Sequence, residues 1–424
     1  MAKVSINNNQ TQTYEIDGEK STYVLNKGVS IAGSVYGIEE ASTSKNNTIV
    51  LNGHVSATVD NGTAVFAKGD GTVIKIGEAG RVEGDYGIYA DGIRARVVNN
   101  GRIEANEIAV ELEGDMPSFT NHGAVISHDS YAYYSFGNSY FTFTNNGRMI
   151  SELGVHLDAG DLTMTFGTRS VTKADNHVIT LQADTGDVSH LTNHGTIAAT
   201  TKTGFREAIL GDEADDIVRN TGTIDGAVDL GAGDDVFNGR GGRVLNGVVD
   251  GGAGSDIYYL SDKHTRVFES DEGGSVDKLT VSFSYKIEFS NDIEELMLAG
   301  KGNFNLFAND GGMYLGGNAG NNRLVGGDGA DALWGGKGND VLIGGDGVDA
   351  FYFRPGAGRE VIEDYVDGVD GIAFASGTQV TSFQDLVDHH IKDVKGGMLI
   401  SGDGTEIFIK GMSTDKFTMD DFIG

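Results

Sequence analysis

Residues 316–353 read GGNAGNNRLVGGDGADALWGGKGNDVLIGGDGVDAFYF, and they constrain the fold more than any other stretch. From Gly317 they divide into four consecutive nine-residue units: GNAGNNRLV, GGDGADALW, GGKGNDVLI and GGDGVDAFY. Each has glycine near its start and an acid or amide at its sixth position (Asn322, Asp331, Asp340, Asp349). Each also has an apolar residue at its eighth (Leu324, Leu333, Leu342, Phe351). Glycine permits positive φ and close backbone approach, so the first six residues form a tight loop. The last three form a short strand whose middle side chain enters a core. One copy would mean little, because glycine- and aspartate-rich turns are common. Four in phase are specific, since a disordered linker would not keep its apolar positions in register.

The pattern matches the nonapeptide G-G-x-G-x-D-x-U-x, which builds a parallel β-roll around calcium. Two nonapeptides make one coil, so units two apart stack, pairing Asn322 with Asp340 and Asp331 with Asp349. Calcium is a hard cation that takes several oxygen ligands. The expected ligands are the four sixth-position side chains and backbone carbonyls of the loops. The expected loop positions are Gly317, Gly326, Gly335 and Gly344, with Asp328, Lys337 and Asp346 at the third position.

These residues resemble the RTX family of secreted calcium-binding repeat proteins. Upstream, GGAGSDIYYL (251–260), VDKLTVSFSYKI and IEELMLAGKGNF resemble that family's spacer between repeat blocks. Downstream, AFYFRPGAGREVIEDYVDGVDGIAF resembles the segment that closes the roll, and the final TMDDFIG resembles an uncleaved C-terminal type I secretion signal. The resemblance covers roughly the second half of the chain. It implies an extracellular or cell-surface protein, exported without an N-terminal signal peptide. The start, MAKVSINNNQTQTYEIDG, has no apolar run to contradict this.

The first half carries a longer, looser repeat. Its anchor is Asn-x-Gly-x-apolar, at 99–103, 121–125, 145–149, 193–197 and 220–224, with weaker copies around Gly53, Gly80, Gly167 and Gly242. The central glycines recur at intervals in the twenties, which suits one coil of a parallel β-helix with insertions in its loops. Alternating runs such as GTAVFAKGD, YGIYADGI and EIAVELEGD between anchors are strand candidates ending in Gly–Asp turns. Asparagines at one register are expected to stack as an amide ladder. Helical periodicity is confined to SFQDLVDHHIKDV, 382–394.

The two repeats merge at GDEADDIV, LGAGDDVF and GGAGSDIY, whose key acids Asp216, Asp235 and Asp256 are one coil apart. Calcium is expected at Asp235 and Asp256. The first loop departs most from the pattern, with Glu213 and Ala214 at positions that expect small residues, so Asp216 stays outside the expected set. The fold expected is all-β: a right-handed parallel β-helix continuing into a calcium-binding parallel β-roll with a C-terminal β-rich cap. Its segments are 1–26 leader or cap, 27–204 β-helix, 205–260 coils with RTX-like loops, 261–315 spacer coils, 316–353 roll, and 354–424 cap and secretion signal.

Composition narrows the function. With 62 acidic against 31 basic side chains the net charge is -31, so nucleic acid is not an expected partner. No cysteine is present to make a disulfide or thiolate site, and no apolar stretch approaches bilayer length. No H-E-x-x-H zinc motif and no G-x-S-x-G nucleophile elbow occur. His389–His390 lacks a third ligand nearby in sequence. The run YAYYSFGNSYFTF, 131–143, reads either as an aromatic platform for sugars or as an insertion packed on the helix flank. Two function classes remain. One is a calcium-folded adhesin, matrix component or surface-layer-like subunit, partnered by itself or by surface polysaccharide. The other is a carbohydrate-active enzyme (polysaccharide lyase, epimerase or hydrolase) on the β-helix.

Overall fold

A computed structural model describes residues 2–175, 177–183, 186–201, 206–269, 276–287, 292–375, 379–380, 382–402 and 404–423, excepting the side chains of 138 and 139. The expected boundary at 204/205 and the terminal Gly424 lie outside the described residues. The chain forms two compact units, Met1–Gly254 with His264–Phe268, and Ser255–Lys263 with Glu269–Gly424. Both are parallel β-solenoids, as the repeats imply.

In the first unit each regular coil contributes three short strands, so three parallel ladders run along it. Tyr36–Glu40, Thr63–Ala67, Tyr86–Ala90 and Val110–Leu112 begin one ladder. Thr22–Leu25, Thr48–Leu51, Val73–Ile76, Arg96–Asn99 and Ser118–Asn121 begin the second. Ser30–Gly33, His54–Ala57, Arg81–Gly84, Arg102–Ala105 and Ala124–Ser127 begin the third. Alternation puts every second side chain inside, so Ile31, Val55, Val82, Ile103 and Val125 stack rung upon rung in the core. The leading segment supplies Lys3–Ile6, parallel to Thr22–Leu25, and Tyr14–Ile16, parallel to Tyr36–Glu40.

The Asn-x-Gly anchor turns the corner between the second and third ladders. Asn99 Nδ2 donates to Asn121 Oδ1 and Asn121 Nδ2 to Asn145 Oδ1, each at 2.9 Å; Asn193 and Asn220 repeat the bond at 2.9 Å. Each Oδ1 also accepts the backbone N–H two residues on, as Asn121 does from Gly123 at 3.1 Å. Glycine is required there because a Cβ on Gly123 would lie 2.1 Å from the Gly101 carbonyl oxygen. The amide ladder is thus formed as expected. The aromatic run is not an insertion packed on the flank: Tyr131–Asn145 is one long strand paired with Gly154–Phe166, with Tyr133, Phe141 and Phe143 filling the core and Tyr131 and Tyr134 half-buried. Its exposed large aromatics are Phe136, at the register shift between Ser135 and Asn138, and Tyr140.

The second unit has two parallel ladders. One includes Glu295–Leu298, Tyr314–Gly316, Ala332–Trp334, Ala350–Phe353 and Gly371–Phe374. The other includes Asn305–Phe307, Arg323–Gly327, Gly338–Gly345 and Gly358–Ile362. The eighth-position residues Leu324, Leu333, Leu342 and Phe351 are fully buried. Beyond the repeats, Thr405–Lys410, Gly397–Gly402 and Ile391–Val394 form an antiparallel sheet. The helix Phe383–His389 lies inside the periodic window, N-capped by Ser382, whose Oγ accepts from Asp385 N at 3.1 Å. Among the described residues no helix is long and apolar enough to cross a membrane.

Candidate metal centre

The sixth-position side chains of the second unit form two columns. In one, Asp340 Oδ1 accepts the Asn322 backbone N–H at 2.7 Å, and Glu360 sits on the next rung. In the other, Asp349 Oδ1 accepts the Asp331 N–H at 2.9 Å, Asp331 Oδ1 accepts the Met313 N–H at 2.8 Å, and Asp370 Oδ1 accepts the Asp349 N–H at 3.0 Å. Asn322 with Asp340 and Asp331 with Asp349 are therefore brought together. All six side chains are buried. One carboxylate oxygen of each aspartate is spent on the backbone of the preceding coil. The second oxygen of Asp331, Asp340 and Asp349, and both oxygens of Glu360, have no hydrogen-bond partner.

The first-position glycines face those oxygens. A Cβ on Gly326 would lie 2.2 Å from Asp331 Oδ2 and 2.3 Å from the Gly344 carbonyl oxygen. On Gly335 it would lie 2.5 Å from Glu360 Oε2 and 2.6 Å from Asp340 Oδ2, and on Gly344 2.0 Å from Asp349 Oδ2. On Gly317 it would meet the Gly335 carbonyl oxygen at 1.9 Å and Asn322 Oδ1 at 2.8 Å. At Gly326 glycine thus keeps clear a point on which a carboxylate and a loop carbonyl converge, and at Gly335 one on which two carboxylates converge. The third-position side chains Asp328, Lys337 and Asp346 are exposed. The Lys337 and Asp346 N–H groups donate to the Asn318 and Gly327 carbonyls of the preceding coil at 2.8 and 2.9 Å.

Burial dominates the electrostatics. It pushes Asp331 up to about 6, with the Asp349 charge adding to it, and Asp349 up to about 6, with Asp370 and Asp364 adding. Asp340 and Glu360 are both raised, by burial and, for Glu360, by the facing Asp340 carboxylate. A buried unpaired carboxylate is costly, and two in contact cost more. An all-oxygen, anionic set with room at glycine suits a hard divalent cation.

Glu360 and Asp370 escaped the sequence pattern because the columns lengthen there. They follow Asp340 and Asp349 by 20 and 21 residues instead of 18. The surviving signal is an acid followed two residues later by a buried aliphatic, Ile362 and Ile372. Asp256 is buried, its N–H donating to Asp277 Oδ1 at 2.7 Å. Asp256, Glu269 and Asp277 each place one carboxylate oxygen within 4.8 Å of the other two, and the Tyr258 hydroxyl donates to Glu269. Burial raises Asp277 to about 6, against its hydrogen bond from the Asp256 N–H. In the first unit Asp235 is buried and accepts the Asp216 N–H at 2.6 Å.

Stacked parallel coils that present columns of buried oxygens at glycine loops define a cation-binding β-roll. Residues 316–350 match, in four copies, the family described as RTX calcium-binding nonapeptide repeat, so these repeats bind calcium. No curated protein matches the chain. Among solved structures, the extracellular lipase LipA from Serratia marcescens is 18% identical with a TM-score of 0.23. That match covers 53% of this chain and 41% of the lipase, and a likeness that low carries no argument.

Proposed function

We propose that the protein is a secreted structural or adhesive surface component whose second unit is folded by extracellular calcium. The ligands in this reading are the side chains of Asn322, Asp331, Asp340 and Asp349, continued by Glu360 and Asp370. Carbonyls of the loops at Gly317, Gly326, Gly335, Gly344, Asp328, Lys337 and Asp346 complete them, and Asp235 and Asp256 belong to further sites. The observation that carries the reading is the set of buried carboxylate oxygens, without a protein partner, that face the first-position glycines. Extracellular modules bind calcium with Kd of about 10⁻⁴–10⁻³ M, adequate outside a cell and too weak within one. Trp334, the only tryptophan, adjoins Gly335 and lies under the Arg354 guanidinium at 4.4 Å from its centroid. Its fluorescence and the β-sheet circular dichroism should both change on chelation; constancy of both would refute the reading. Assembly is supported by Lys3–Ile6, a largely exposed strand that among the described residues pairs with Thr22–Leu25 alone. Light scattering with millimolar calcium, on full-length protein and on protein lacking residues 1–26, tests it. Monomers in both samples would favour adhesion to a foreign ligand.

One column of the first unit supports the enzyme as a second reading. Phe66, Tyr89, Glu111, Tyr134 and His156 occupy consecutive outward rungs. Phe66 and Tyr89 stack at 5.1 Å, and Tyr134 and His156 at 5.0 Å. Burial, and then the Glu113 charge, raises Glu111 to about 7. Tyr89 donates to Glu113 Oε2 at 2.6 Å. Rings that stack on sugars beside a carboxyl group able to hold a proton near neutrality suit a glycan substrate. Reducing-end release from polysaccharides that is lost in Glu111→Gln would move the assignment to this reading.

A further inference from the structure

We propose that the loop 211–216 of the first unit, with Leu230 and Asp235 of the following coil, is an additional divalent-cation site that takes calcium. It lies outside the matched repeats; it rests on the calcium reading of the roll and deepens it, joining to the further site at Asp235 the loop of Asp216, which the repeat pattern leaves out.

The geometry of the roll recurs there. A Cβ on Gly211 would lie 2.1 Å from the Leu230 carbonyl oxygen and 2.2 Å from Asp216 Oδ2. The corresponding distances at Gly326 are 2.3 Å to the Gly344 carbonyl and 2.2 Å to Asp331 Oδ2. Asp235 Oδ1 takes the Asp216 N–H at 2.6 Å, just as Asp349 takes that of Asp331. Asp216 is 0% exposed, and neither of its carboxylate oxygens has a hydrogen-bond partner. Asp331 retains one such bond, so Asp216 is the more deprived of the two.

Among the described residues no side chain repairs this. The Ser189 hydroxyl of the preceding coil is near enough to favour the charged form, yet completes no hydrogen bond with it. The charges that act on Asp216 are those of Asp212 and Asp215, both negative. Asp212 is itself occupied, accepting the Ala183 N–H at 3.1 Å and the Ala214 N–H at 3.3 Å. A buried carboxylate facing a loop carbonyl lacks a positive charge at the point between them.

The departures that exclude this loop from the pattern do not obstruct the site. Leu230 stands where the repeat has glycine, but only its carbonyl faces Gly211, and its side chain is buried in the core. Ala214 is buried, and Glu213 points to solvent. Repeats are recognised by side-chain identity, whereas this site needs glycine only at 211 and a carboxylate only at 216.

The test uses the full chain with calcium as the probe. Native mass spectrometry should count one fewer calcium in Asp216→Asn than in wild type, and Asp331→Asn serves as the positive control. Hydrogen exchange on wild type should show calcium-dependent protection of amides 207–220 alongside that of 322–350. An unchanged ion count in Asp216→Asn, or calcium-independent exchange at 207–220 while 322–350 responds, overturns this site and leaves the roll intact. Calcium-independent exchange in both segments overturns both. Should Asp216→Asn fail to fold, the wild-type exchange comparison decides.

Discussion

At the scale of single residues, a methyl group is the sharpest probe of the roll. In Gly326→Ala the new Cβ would lie 2.2 Å from Asp331 Oδ2 and 2.3 Å from the Gly344 carbonyl, on the point where the ligands converge. Calcium affinity should fall by at least about tenfold, the loss seen when even an outer-shell partner is removed. Asp331→Asn should act similarly by deleting a ligand charge, while Asp328→Asn, an exposed side chain, should change the calorimetric Kd little. Equal effects at 328 and 331 would sink the assignment. Asp331 was legible in the sequence because loop, acid and apolar anchor recur every nine residues. Glu360 was not, because a local lengthening of the coil breaks the period while leaving the backbone rung intact.

Elements were legible where side-chain alternation and the corner chemistry agree. The Asn-x-Gly anchors could be read because one amide does two jobs, bonding the next coil and capping its own turn. That makes the ladder testable. Asn121 is buried with its amide donating to Asn145 and its oxygen accepting from Asn99 and Gly123. Asn121→Ala should lower the stability of the first unit by about 1–3 kcal/mol per polar group left unsatisfied. Asn106, whose amide reaches Asp85 at an exposed site, should tolerate alanine. Urea unfolding followed by circular dichroism compares them, and parity between the two variants would mean the ladder carries no stability. The strand Tyr131–Asn145 was not legible, because its length and bulges hide which rings point inward. An aromatic-rich alternating run looks the same from either face until its partner Gly154–Phe166 sets the register.

For the whole molecule, the question is what replaces calcium when it is withdrawn from a chain of net charge -31. Protons are the available substitute. In the calcium-free fold Asp331, Asp349 and Asp277 are raised by burial to about 6, and Asp216 to about 7, from a usual value of 3.8. A carboxyl whose folded pKa lies above its unfolded one favours the fold below the unfolded value, and that contribution is lost as pH rises through the folded value. The calcium-free solenoid should therefore gain stability on acidification from about pH 8 to 5, opposite to the usual loss. Glu104, held at about 2 by Arg102, works the other way, but only as pH falls from 4.5 towards 2. In the upper window the raised acids are opposed, among the described residues, by one group, His156, whose imidazole is held below its usual 6.5 by burial, and they outnumber it. Calcium needs these same groups ionised, so its affinity should weaken over the range in which the bare fold strengthens. Chelated protein followed by circular dichroism and Trp334 emission should recover β-structure near pH 5. A calcium titration repeated there should show a higher midpoint than at pH 8. A chelated protein no more ordered at pH 5 than at pH 8 would mean that burial of these carboxylates does not limit the calcium-free fold.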